Sequence, residues 1–198
     1  MIFSSETEVV LASGSRYRRA LLDQLGLHYL ACPADIEETA RAGELPTATA
    51  SRLASEKARA VARTYPTALV IGSDQVGSLD GLTAFSKPGN HVEAVAQLAR
   101  MSGRTVRFHT AVCLFNARTA AERNALVTTE VRFRKLAAEV IEAYLERDRP
   151  YDCAGSAKIE SLGIALVERV TSDDPTALLG LPLIALIDLL AAEGIRVV

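Results

Sequence analysis

The chain has 198 residues, of which 49% are hydrophobic and 23% charged, a globular rather than disordered balance, and one long enough for a single sizeable core over residues 1–198. Its net charge of −2 gives no basic footprint for nucleic acid or an acidic membrane surface, although a local pocket can still be basic and take an anionic small molecule.

Met1–Glu8 carries Glu6 and Glu8 and no basic cluster, so it does not read as a signal peptide. Val9–Ala12 is a short β-branched and apolar run that predicts the first strand. Ser13-Gly14-Ser15 leads into a helix over Arg16–Leu25, with Ser15 as N-cap, Gly26 as the stop and Leu21, Leu22 and Leu25 on one face. His28–Cys32 predicts a second strand, followed by the acidic residues Asp35, Glu37 and Glu38. Pro46 opens a helix that runs to Tyr65, burying Leu53, Ala54, Ala58, Val61 and Ala62. Ala68–Ile71 reads as a buried strand that ends in the turn Gly72-Ser73-Asp74-Gln75. Asp80-Gly81 predicts a hairpin between Val76–Leu79 and Leu82–Phe85.

A helix over Val92–Met101 stops at Gly103, and Val106–Phe115 pairs with Leu126–Phe133 around a polar loop, Asn116–Asn124. Ala138–Arg147 reads as a helix, Ile164–Val170 as a strand and Pro182–Ala192 as the last helix. The apolar stretch Ala177–Ala192 is interrupted by Pro182 and Asp188, so it predicts a buried helix rather than a membrane span. Strands mixed with helices and hairpins predict an α/β fold with a mixed sheet. Cys32, Cys113 and Cys153 are odd in number and far apart, which excludes a disulfide framework or a CxxC zinc site and favours small core residues in a reducing compartment. With neither leader nor span, the expected location is cytoplasmic.

Several residue groups carry candidate chemistry. Ser13-Gly14-Ser15 places a small turn at a helix N-terminus, where free N–H groups favour a phosphate, and Arg16, Arg18 and Arg19 add charge. Asp74 follows an apolar strand, the position where open α/β folds carry their sites, and Gly72 permits close approach of a backbone or a ligand. Glu38, Glu56-Lys57, Lys87 and the pair Lys158 and Glu160, taken singly, are better read as ordinary surface or loop residues than as functional ones.

Their order along the chain changes that. Leu11-Ala12-Ser13-Gly14-Ser15 with Arg18-Arg19, then Glu56-Lys57-Ala58, Ser73-Asp74-Gln75, Lys87-Pro88, Ala154-Gly155-Ser156 with Lys158 and Glu160, and Gly180-Leu181-Pro182-Leu183 together resemble the Maf family of nucleoside triphosphate pyrophosphatases. The resemblance runs from about Val10 to Leu190. Asp74-Gln75 and Glu160, in place of the family's frequent aspartate-threonine and late glutamine, with an aromatic at Tyr17, are similar to the branch acting on 7-methyl-GTP rather than that acting on dTTP and UTP. Arg16 stands where the family has proline, and Ser86 where glycine is common.

The resemblance implies a two-lobed α/β fold of the Maf and ITPase-like kind, with a long twisted mixed sheet flanked by helices and a cleft between the lobes. It implies Mg²⁺ or Mn²⁺ held by Glu38 and Asp74, phosphate contacts from Ser13, Arg18, Lys57, Lys87 and Lys158, and base contacts from Tyr17, Gln75 and Glu160. Asp74 is implied as acceptor of the attacking water's proton, although it could equally orient a water acidified by the ion. A nucleotide is the implied partner, often in a homodimer. The alternatives are a dTTP/UTP or broader modified-nucleotide specificity, or a nucleotide-binding regulator of division without turnover.

Overall fold

The computed structural model describes residues 7–198 apart from Ser86 and Asp152. The readings of the N-terminus before residue 7 and of Ser86 lie outside the described residues.

Six strands form one mixed sheet in the order β2-β1-β3-β4-β5-β6: β1 (Val9–Leu11), β2 (Leu30–Ala31), β3 (Leu69–Ser78), β4 (Thr105–Asn116), β5 (Ala121–Phe133) and β6 (Val167–Thr171). Five α-helices flank it: α1 (Arg16–Asp23), α2 (Pro46–Ala62), α3 (His91–Met101), α4 (Ala138–Asp148) and α5 (Leu183–Ala192). β2, β1 and β3 run parallel, and β3 through β6 are antiparallel neighbours. β1 is buried throughout, which is why its sequence is continuously apolar. β5 has one solvated face, which is why Leu126–Phe133 alternates.

The long strands β3, β4 and β5 carry two lobes. At one end, helices pack on both faces. Leu22, Ile71, Leu114, Leu181, Leu186 and Leu190 form a core beneath α1 and α5. Val10, Ala54, Ala58, Val61, Val70 and Cys113 form the core under α2 on the opposite face. At the other end, Leu98, Met101, Phe108, Phe133, Tyr144 and Leu145 join α3 and α4 to the far halves of β4 and β5. No helix among the described residues is long and apolar enough to cross a membrane.

Local chemistry accounts for the boundaries. Ser15 caps α1 by accepting from the Arg18 N–H at 3.4 Å. That helix stops at Asp23, short of the expected Leu25, because Gln24, Leu25 and Gly26 tighten into bonds to the carbonyls three residues back. Asn90 caps α3 by accepting from the Glu93 N–H at 3.0 Å. The expected hairpin after β3 is reduced to a single bridge, Ser78 with Ala84. Asp80 Oδ1 accepts from the N–H groups of Leu82 and Thr83 at 2.9 and 2.8 Å, so these donors serve the turn rather than a ladder. β4 and β5 pair as far as Asn116 with Ala121, so the expected nine-residue polar loop is mostly strand.

The main correction concerns β3. It does not end at Ile71 but continues to Ser78, paired with β4 along its whole length. Gly72-Ser73-Asp74-Gln75 is therefore mid-strand, not a turn. Gly72 allows this strand to meet α2 at backbone contact. A Cβ at Gly72 would lie 2.1 Å from the Ala54 carbonyl oxygen and 2.8 Å from the Ala58 nitrogen. Gly72→Ala is expected to destabilise the fold by about 2–3 kcal/mol, the range for overpacking against rigid neighbours, as read by denaturant unfolding.

Candidate active site

A cleft of about 1180 Å³ lies between the lobes. The first lobe contributes Ser13, Tyr17, Arg18, Glu38, Lys57, Asp74 and Gln75, and the second lobe with its connecting loops contributes Phe85, Lys87, Phe108, Ile159 and Glu160. Lys158 is not part of the cleft wall. Its backbone N–H donates to the Tyr144 hydroxyl at 3.0 Å, fixing the loop that brings Ile159 and Glu160 to the cleft. Glu56, beside Lys57 in sequence, forms surface ion pairs with Arg41 and Arg52.

The centre of the cleft is an ion triad. Lys57 lies on the buried face of α2, between Ala54 and Ala58, where the contact with Gly72 is closest. Its ammonium donates to Asp74 Oδ1 at 2.6 Å and approaches Glu38 Oε1 at 2.7 Å. The Lys57 and Asp74 side chains are only 7% and 11% exposed, whereas Glu38 is 45% exposed, on the connection between β2 and α2. The reading of Lys57 as a surface charge is thus overturned by the close helix–strand approach. Lys87 lies 3.5 Å from Glu38 Oε2. Burial acts to raise the Glu38 pKa, but the bond and charge of Lys57, with help from Lys87, outweigh it and hold the carboxyl below its ordinary value. Among the described residues no hydrogen bond engages Asp74 Oδ2, which leaves that oxygen for a water or a cation.

Arg18 leaves the first turn of α1 towards the same centre. Its Nε donates to the Gly180 carbonyl at 2.7 Å and its Nη1 to Ser13 Oγ at 3.3 Å. Ser13 Oγ also accepts from the Ser15 N–H at 3.1 Å. Burial lowers the Arg18 pKa, against the opposing attraction of Asp74 and Glu38. A guanidinium held this way, next to the α1 N-terminus, suits a phosphate oxygen.

Tyr17 is partly exposed on the cleft wall. The Arg16 guanidinium sits 4.7 Å from its ring centroid and donates to its hydroxyl at 2.6 Å. Gln75 lies on the opposite face of β3 from Asp74, and its Nε2 contacts Thr110 Oγ1, the Ala177 carbonyl and the Leu178 carbonyl at 2.9, 3.0 and 3.0 Å. Its amide nitrogen is thus committed to the protein. Glu160 is exposed at the cleft mouth. Cys153 lines the cleft and, like Cys32, is only partly buried, whereas Cys113 is fully buried and its thiol is pushed up to about 12, chiefly by burial.

Glu38 and Asp74 offer the oxygen donors that could hold a hard divalent cation. They are the two carboxylates already gathered round one positive centre, the Lys57 ammonium. Among the described residues no group of three or more His, Cys, Asp or Glu side chains assembles. Two protein carboxylates suit an ion such as Mg²⁺, which draws other ligands from phosphate and water.

Sequence reasoning gave no role to Ser73, Asp174 and Thr176. Asp174 is buried, accepts from the Thr176 and Ile184 N–H groups at 2.9 and 2.8 Å, and ties the Ala177–Gly180 turn to the start of α5. The only sequence signal for this network was the Gly180-Leu181-Pro182-Leu183 stretch.

The family described as Maf-like protein matches residues 8–193. A protein of Aromatoleum aromaticum named 7-methyl-GTP pyrophosphatase is 53% identical to this chain over 189 residues, covering 96% of this chain and 97% of the relative. Proteins of the same name from Burkholderia lata and Methylobacillus flagellatus are 54% and 50% identical, covering 93% and 96% of this chain and 89% and 98% of the relatives.

Lys57→Ala would leave the buried Asp74 carboxylate without its counter-charge. Unfolding at neutral pH is expected to become easier by about 3 kcal/mol, the order for breaking one side of a buried pair.

Proposed function

The chain belongs to the Maf family, and we propose that it hydrolyses 7-methyl-GTP to 7-methyl-GMP and pyrophosphate with Mg²⁺ or Mn²⁺. The observation that carries this reading is the joining of Asp74, Glu38 and Lys57 in a cleft that also holds Arg18, Tyr17 and Glu160.

In this reading, Arg18, Ser13 and the α1 N-terminus hold the triphosphate. Water attacks the α-phosphorus in line, the bond from that phosphorus to the bridging oxygen breaks, and pyrophosphate leaves with the electron pair. A bound divalent cation supplies neutralisation of phosphate charge and acidifies water. Glu38 and Asp74 would hold it. Asp74 Oδ2 faces the water, as acceptor of its proton or of a hydrogen bond. Lys57 holds Oδ1 and so fixes the carboxylate plane. Lys87 is placed to follow the phosphates once Glu38 turns to the cation.

N7-methylation gives guanine a positive charge. Tyr17 offers it a ring face, and Glu160 offers a carboxylate to the guanine N1–H and amine. Arg16 on the Tyr17 ring is the protein's own cation in that place. Gln75 acts through the turn it holds rather than through its amide nitrogen.

Two measurements test the reading. In a panel of 7-methyl-GTP, GTP, dTTP and UTP with Mg²⁺ or Mn²⁺, kcat/KM is expected to be highest for 7-methyl-GTP, and a higher value for dTTP or UTP overturns the assignment. Asp74→Asn keeps the side-chain shape and is expected to lower kcat at least about 100-fold, the lower range for losing a group that handles the reacting proton. Near-normal pyrophosphate release by that folded variant would remove Asp74 from the reaction.

A further inference from the structure

Ser73, Asp74 and Gln75 are consecutive on β3, so their side chains alternate between the two faces of the sheet. Asp74 meets Lys57 of α2 on one face. Ser73 and Gln75 meet the turn Ala177–Gly180 on the other. Ser73 is fully buried, and its Oγ lies 2.8 Å from the Gly180 carbonyl oxygen and 2.8 Å from that of Ala111. The Gly180 oxygen also accepts from Arg18 Nε at 2.7 Å. The Gly180 carbonyl thus faces the guanidinium from α1 and a buried hydroxyl from the sheet, whose single proton it shares with the Ala111 carbonyl.

Gly180 presents that carbonyl from the left-handed region, with φ of +102°, and a Cβ there would lie 3.4 Å from Arg18 Nε. The turn is set in contact with the guanidinium, and its positive φ is one that a residue with a side chain rarely adopts. A guanidinium is planar, so fixing Nε on Gly180 and Nη1 on Ser13 fixes the direction of its remaining N–H groups.

We infer that Ser73 is a positioning residue for Arg18, acting through the Gly180 carbonyl to aim the guanidinium at the triphosphate. The inference rests on the reading of Arg18 as a phosphate contact. The Ser-Asp-Gln triplet then has a divided role. Its central carboxylate serves the α2 face of the cleft, and its two flanking residues hold the turn that orients the phosphate clamp on the other.

A double-mutant cycle tests it, with KM and kcat for 7-methyl-GTP measured for Ser73→Ala, Arg18→Lys and the pair. Ser73→Ala is expected to raise KM by roughly three- to ten-fold, the scale of one lost hydrogen bond, with a smaller change in kcat. Ser73→Thr, which keeps the hydroxyl, is expected to stay within about two-fold of the parent KM. With Arg18 already replaced by lysine, Ser73→Ala is expected to add less than about two-fold, because the group it positions is gone. A purely structural serine would give the same loss in both backgrounds, and that additivity overturns the inference alone. A folded Ser73→Ala with the parent KM overturns it too. An unchanged KM in Arg18→Lys removes Arg18 as a phosphate contact, and the inference with it. If Ser73→Ala does not fold, Ser73→Cys, close in volume and a weak donor, takes its place in the cycle with the same expected outcomes.

Discussion

The backbone contact between α2 and β3 at Gly72 is the constraint on which the site depends. Most helix-on-sheet packing is spaced by side chains on both surfaces. Here the strand offers a hydrogen and the helix offers Ala54 and Ala58, so the Ala54 carbonyl lies where a Cβ would otherwise be. That approach brings Lys57, one helical position before Ala58, down onto Asp74, two strand positions after Gly72. The charged pair sits at the end of an apolar core that includes Val10, Val70 and Cys113, all fully buried. Apolar packing thus supplies the free energy that holds two charges out of water, a cost the pair's own attraction does not reliably cover.

The same strand organises the other wall. β3 is covered on both faces, by α2 on one and by the Ala177–Gly180 turn and α5 on the other. Period-two alternation turns three consecutive residues into contacts on two walls, with Asp74 on one side and Ser73 and Gln75 on the other. Asp174 and Thr176 then fix the turn, since Thr176 Oγ1 lies 2.6 Å from Asp174 Oδ1 and 2.9 Å from the Leu181 carbonyl, and Asp174 accepts at the start of α5. Arg18 lies where these two constructions meet, bonded to Gly180 and attracted by Asp74 and Glu38.

What the sequence could and could not disclose follows from these contacts. The Ser15 cap, the Pro46 start of α2 and the continuous apolar β1 are local, and each was legible from a few neighbouring residues. Asp74 was legible as chemistry but not as geometry. Its place in mid-strand depends on pairing with Ala111, a partner distant in sequence, and no local signal carries that register. Lys57 beside Glu56 reads as an ordinary solvated pair, yet helical period places it with Leu53, Ala54 and Val61 on the face that α2 buries, while Glu56 is partly exposed. Lys158 and Gln75 show a similar limit. Motif spacing named them, whereas folding ties the Lys158 backbone N–H to the Tyr144 hydroxyl and commits the Gln75 amide nitrogen to Ala177 and Leu178.

The Arg16–Tyr17 contact links this architecture to the choice of base. The ring of Tyr17 carries a cation of the chain's own, the Arg16 guanidinium, at 4.7 Å from its centroid. In the proposed reading, a base that takes this face displaces the guanidinium and gives up an exposed cation–π contact of about 0.5–1 kcal/mol together with the bond to the Tyr17 hydroxyl. A neutral purine gives up that interaction without replacing its electrostatic part. A purine methylated at N7 brings its own positive charge to the ring, so the exchange is of one cation for another, and the Glu160 carboxylate at the cleft mouth adds to the same preference. The departure from the family's proline at position 16 therefore does more than alter a helix start. In the proposed reading it sets a threshold on the aromatic face that a cationic base crosses more easily than a neutral one.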